Sequence, residues 1–313
     1  MNARKLTFFC APAAMLLLSG CHMEGWADSQ RFTEDFRQSH SLSPGGRLTI
    51  ENFNGSIEIY GWDKNEVEIN GTKYASTKDA LEEIRIEVSA KPDSVEIRTV
   101  RPSIAGRRWG NSGAKYRIHV PVKTQLSQVV SSNGSVRLDS LEGNGVIRTS
   151  NGAVRAMKYR GNLRINTSNG GVEMSDCTGE AQVETSNGRV KVDGATAALN
   201  VTSTNGSVSA RLVGPKAHGA KLRTSNGAVD LAIDAPLDGE VEAHTSNGAI
   251  TLRLPSAANA RIRAHTSNSS ITTDFDLNAV QLKKRTDLEG TIGSGGPLID
   301  LSTSNGSIKI QRN

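Results

Sequence analysis

Carboxylates and imidazoles are where any catalysis by this chain would have to begin. Sugar cleavage needs two carboxyls flanking one bond, and calcium needs several oxygens converging on one point. Asp274 and Asp276 are the closest acidic pair on a strand-like stretch, whereas Glu173, Glu184, Asp230 and Glu242 stand singly. His244 and His265 share a setting, each followed by Thr-Ser-Asn. Two histidines are too few for zinc, which takes three or four protein ligands. The chain has no G-x-S-x-G, no H-E-x-x-H, no phosphate loop and no dinucleotide fingerprint. The abundant Ser and Thr lack a histidine at a spacing that would activate them. The expectation is therefore no catalytic residue, no metal and no cofactor. A Gly-rich loop carrying Arg101, Arg107, Arg108 and Trp109 is the candidate binding element. Its cations and indole could meet an anionic glycan or lipid head groups; an exposed insertion kept soluble by charge has the same composition.

What positions these residues is the phrase Thr-Ser-Asn-Gly. With its near copies it places asparagines at Asn133, Asn151, Asn169, Asn187, Asn205, Asn226, Asn247, Asn268 and Asn305. The steps are 18 four times, 21 three times, and finally 37, which reads as two steps with one copy worn away. A fixed period near 20 residues is the mark of a repeat architecture.

Aligned on the asparagine, each copy is followed by Val or Ile three residues on. Next come a polar residue (Arg137, Arg155, Glu173, Lys191) and, in most copies, another apolar one. That alternation is a strand with one buried and one wet face. A second strand precedes the asparagine, with Ile147, Ile165, Val183, Val201 and Leu222 inward and Arg148, Asn166, Glu184, Thr202 and Arg223 outward. Such a unit buries its apolar face only when stacked on its neighbours. The fold class expected is all-β: a parallel β-solenoid of 18–21-residue coils, with Asn-Gly at a corner and the asparagine amides in a ladder. Glycine at the corner is expected to supply a positive φ. A two-residue hairpin turn is the competing use of Asn-Gly, but it gives no reason for constant spacing.

The chain divides into a signal peptide (1–20), a polar tether beginning at Cys21 (21–45), an irregular β region capping the stack (46–130) and the solenoid (131–313). Arg4 and Lys5, an apolar run and Leu18-Ser19-Gly20-Cys21 have the layout of a secretory signal too short to span a membrane. The ending resembles the bacterial lipobox, which implies lipid on Cys21. Residue 22 is His rather than the Asp of inner-membrane retention, so the outer membrane of a Gram-negative cell is expected. Of three cysteines only Cys177 then stays free, in a column of buried small or apolar residues, so no disulfide framework exists. Cleavage before Cys21 leaves a charge of +3 on 293 residues, too little for a nucleic-acid-binding field.

The lipobox, the Gly55–Trp62 opening, the Ile118-His-Val-Pro121 strand and the T-S-N-G array together resemble a bacterial family of candidate adhesins built from β-strand repeats, catalogued largely as a domain of unknown function. The resemblance implies the architecture over about residues 46–313 and brings an adhesin label without a catalytic motif. The function expected is a non-enzymatic, lipid-anchored scaffold or adhesin-like surface for a glycan or envelope protein. The alternatives are an envelope sensor gripping a protein partner and a polysaccharide-active β-helix enzyme.

Overall fold

The computed structural model describes residues 32–101 and 112–313. Each regular coil is a strand, the Asn-Gly corner, a second strand and a second corner. Strands following the phrase, such as Val154–Met157, join sheet one; strands preceding it, such as Leu163–Thr167, join sheet two. Equivalent strands pair in parallel and in register, Val154 beside Val172 and Val172 beside Val190. The two sheets face each other across a single apolar core. Its columns include Ile147, Ile165, Val183 and Val201 on one side and Val154, Val172, Val190 and Val208 on the other, all essentially inaccessible to solvent. The chain is thus an all-β parallel solenoid flattened to two layers, as the alternation dictates.

Each residue of the phrase has its own physical task. Thr149 is buried; its Oγ1 accepts the Gly152 amide at 3.1 Å and donates to the Gly134 carbonyl at 3.3 Å, tying its own corner to the preceding coil. Thr167 and Thr185 repeat both bonds. The asparagine side chains form a continuous ladder, each Nδ2 donating to the Oδ1 of the coil before it at 2.6–2.8 Å. All point the same way, so their dipoles reinforce one another. Asn54 starts the ladder, its Nδ2 donating to the Ser112 carbonyl.

Glycine's role differs from the expected one. The glycines at 134, 152, 170, 188, 206, 227, 248 and 306 do not have positive φ. They are required by close approach: a Cβ on Gly152 would lie 1.8 Å from the Gly134 carbonyl oxygen. The left-handed backbone occurs instead at the second corner, at Ser140, Lys158, Asp176 and Gly194 (φ 58°, 51°, 53° and 84°).

The final step of 37 is not a lost coil. In sheet two, Leu298–Thr303 lies between Val241–Thr245 and Ala260–Thr266; in sheet one, Ile308–Arg312 lies between Ile250–Leu254 and Ile271–Thr273. The last coil in sequence is therefore inserted one layer inside the stack. Asn305 accordingly bridges Asn247 and Asn268. The intervening residues make an antiparallel hairpin, Asn278–Lys283 with Asp287–Ile292, which pairs with Ala260–Thr266 and covers the end of sheet two.

The other end is built alike, and is more regular than the expected cap. Arg47–Asn52 and Ile57–Trp62 form a full coil beside the 125–139 coil, and Ser94–Val100 with Gly113–Pro121 form the next layer outward. Antiparallel strands close this end: Arg85–Lys91 on sheet two, Glu66–Ala75 and then Phe32–Ser41 on sheet one. Phe32–Ser41 falls within the segment expected to be a tether. It is an edge strand rich in charge, the usual guard against edge-to-edge pairing. Lys78–Glu83 is a short helix capped by Thr77.

Candidate functional site

The two sheets turn alternate residues of every strand outward, giving parallel rows of side chains one coil apart, about 4.8 Å. Most acidic candidates in these rows are held by neighbours. Glu173 meets Arg155 at 3.2 Å, and Asp230 is clasped by both terminal nitrogens of Arg253. Burial would raise the pKa of Glu242, but hydrogen bonds from Arg223 and Lys221 outweigh it and hold the carboxyl below its ordinary value. Glu184 accepts from Gln182 at 2.9 Å. Asp274 and Asp276 are both exposed and interact with the Arg312 amide and guanidinium, each at 3.4 Å.

His244 and His265 are not adjacent. The inserted strand places Ser302 between them. His265 Nδ1 lies 2.7 Å from Asp287, whose pKa this contact and the Thr286 hydroxyl both lower. Among the described residues no three His, Cys, Asp or Glu side chains gather as a metal site. Cys177 is buried, its Sγ near the Ser175 and Ala156 carbonyls, and burial pushes its thiol pKa up. That is a packed small side chain rather than a reactive one. Of the candidate loop, Arg101 lies 5.2 Å from the Phe53 ring; Arg107, Arg108 and Trp109, like Cys21, fall outside the described residues.

Two surface features were not legible in the sequence. On sheet one, Tyr60, His119 and Trp62 stack ring on ring, with centroids 5.6 and 5.2 Å apart, between Arg137 over Tyr60 and Lys64 over Trp62. Both terminal rings of the stack thus already have a cation partner. On sheet two, a groove of about 820 Å³ runs along the stack over eight neighbouring strands, the first beginning at Gln125 and the last at Leu298. Ala181, Ala198, Gly219 and Ala220 keep its floor low, while Asn162, Glu180, Gln182 and Lys221 stand along it. Its lining comes from successive coils, whose alignment only the fold reveals.

A family model described as Toastrack DUF4097 matches residues 23–311. The chain belongs to the Toastrack DUF4097 family. The match covers nearly all of this Toastrack chain, from before the first edge strand to the inserted last coil. Among solved structures, the chain is similar to a candidate adhesin from Parabacteroides merdae, at 9% identity over 90% of this chain and 96% of that one (TM-score 0.44). A candidate adhesin from Parabacteroides distasonis is similar at 10% identity over 90% and 97% (TM-score 0.38). A candidate lipid-binding protein from the same organism is similar at 13% identity over 89% and 96% (TM-score 0.37). Comparison with the curated proteins returns no match.

Proposed function

We propose that this Toastrack chain is a lipid-anchored, non-enzymatic scaffold of the cell envelope, outer-membrane in a Gram-negative cell, that presents an adhesin-like binding surface. The observation that carries this reading is the form of the polar surface. Functional groups lie in long single-file rows along the stack; Asp230 and Glu242 are neutralised by Arg253 and by Lys221 with Arg223, and Asp287 is hydrogen-bonded to His265. Catalysis needs complementary groups converging on one reacting centre; rows suit a partner that is itself extended. Thirteen strands side by side in sheet one make a body roughly 58 Å long. Phe32–Ser41 is the outermost strand at one end, so a lipid on Cys21 would hold that end to the membrane and raise the other away from it.

Cys21→Ala should leave a soluble or unprocessed protein, whereas the wild type partitions into detergent with outer-membrane markers. Equal partitioning, with no lipid on Cys21 by mass spectrometry, would remove the anchor from the reading. The enzyme alternative is tested by incubating the purified protein with envelope polysaccharides, with and without calcium or zinc. No new reducing ends or unsaturated products are expected. Turnover abolished by Asp274→Asn or Asp276→Asn would replace the binding reading with a catalytic one.

A further inference from the structure

We infer that the groove on sheet two binds a linear, polyhydroxylated glycan chain carrying no negative charge, laid along the stack axis. The inference rests on the adhesin-like reading and names the ligand class of that surface.

The sheet itself restricts what can bind. Every strand under the groove is hydrogen-bonded to neighbours on both sides, so no backbone edge is open to an added peptide strand. A ligand must be read by side chains. Along one side of the groove, Gln125 Oε1 accepts the Asn144 amide, Asn144 Oδ1 accepts the Asn162 amide, and Asn162 Oδ1 accepts the Glu180 amide. The protein therefore uses the carbonyl end of each side chain. The NH₂ ends of the three have no partner among the described residues, and Asn144 and Asn162 are exposed. The result is a row of donors repeating once per coil.

That spacing discriminates between polymers. Coils are about 4.8 Å apart, while an extended peptide advances about 3.3 Å per residue and falls out of step. One sugar residue of an extended polysaccharide is close to one coil in length, so successive hydroxyls can meet successive amides. Charge narrows the class further. Glu180, Glu240 and Asp300 line the same groove, and none of them is in an ion pair among the described residues. They accept hydrogen bonds from hydroxyl or amino groups and repel phosphate, sulfate or uronate. Lys221 is drawn to Glu242 at 3.1 Å, and His218 lies 3.1 Å from Asp238. Arg164, bonded to the neutral Gln182 at 3.0 Å, is the one groove cation without a carboxylate among the described residues, so the three unpaired acids stay in excess.

The test uses the purified lipidated protein in detergent, titrated with a soluble β-linked glucan, a chitosan oligomer and polygalacturonate. Asn200 is exposed at the middle of the groove, and Asn200→Trp fills it while suiting a strand. Ser209→Trp places the same bulk on the opposite sheet. Asn200→Trp should weaken glucan and chitosan binding by about tenfold or more, and Ser209→Trp by less than about twofold. Glu180→Gln combined with Glu240→Gln should weaken chitosan selectively. Polygalacturonate binding as strong as glucan binding, or equal losses from the two Trp variants, would overturn the inference. If no glycan binds yet intact cells bearing a crosslinker at residue 200 capture a protein, the ligand class is wrong and the adhesin-like reading stands. If neither occurs, both fail.

Discussion

Gly188→Ala is expected to cost several times more stability than any exposed substitution, although it adds a single methyl group. That methyl would lie 1.8 Å from the Gly170 carbonyl oxygen and 2.9 Å from the Gly171 amide nitrogen, both backbone atoms of the adjacent coil. The corner cannot yield without parting the Asn169–Asn187 bond and the Thr185 hydroxyl bridge. Forced overpacking costs about 1–3 kcal/mol, and a disrupted ladder adds to it. Gly171→Ala, next to the equivalent glycine one coil earlier, is the control. Its new Cβ meets nothing closer than 3.3 Å, and other coils carry Ala153, Ala228 and Ala249 there. It should change stability by less than about 1 kcal/mol, the tight contact offsetting the gain from a stiffer unfolded chain. Denaturant melts of the two variants decide the matter, and equal losses would mean that close approach does not hold the corner.

Leu301→Asp is expected to behave as a core substitution even though it lies near the C-terminus, where chains ordinarily fray. Leu301 is wholly buried and sits in register between Ala243 and Ala264. An unpaired carboxylate there should cost roughly 3–5 kcal/mol. Ser302→Asp, the neighbouring residue on the outer face, should cost less than about 0.5 kcal/mol. The lost layer should also open the 260–273 coil and its hairpin to protease. A loss for Leu301→Asp as small as that for Ser302→Asp would place the C-terminal strands at the periphery and refute the insertion.

The regular coils were legible because one signal, strict alternation around a constant phrase, sets strand, face and register together. Parity assigned Val190 inward and Lys191 outward with no knowledge of the partner coil. The inserted coil was not legible, since spacing along the chain says nothing about the order in which equivalent coils stack. One residue did carry the information. Ser269 replaces the corner glycine, and a Cβ at that position is tolerable only where the coil can shift outward. Its strand, Ile271–Thr273, is indeed the last of sheet one. Set in sequence order between Asn247 and Asn305, that serine would have pressed its Cβ on the preceding coil's carbonyl with a further coil stacked behind it, leaving no room to shift. The left-handed second corner escaped notice because Ser140, Lys158 and Asp176, not glycine, occupy it in three coils. The groove and the Tyr60–His119–Trp62 stack were hidden because both join residues of different strands across a sheet.

In the proposed reading the outer face of sheet two meets an extended partner. The most direct measurement is photo-crosslinking in intact cells, with the photoreactive residue at Asn200 in one strain and at Ser209 in another, followed by mass spectrometry of the adducts. With a small diazirine-bearing side chain, which leaves the groove open, adducts from position 200 are expected to be polydisperse and to yield sugars on hydrolysis, with little from position 209. Adducts formed only from position 209, or equally from both, would contradict that reading.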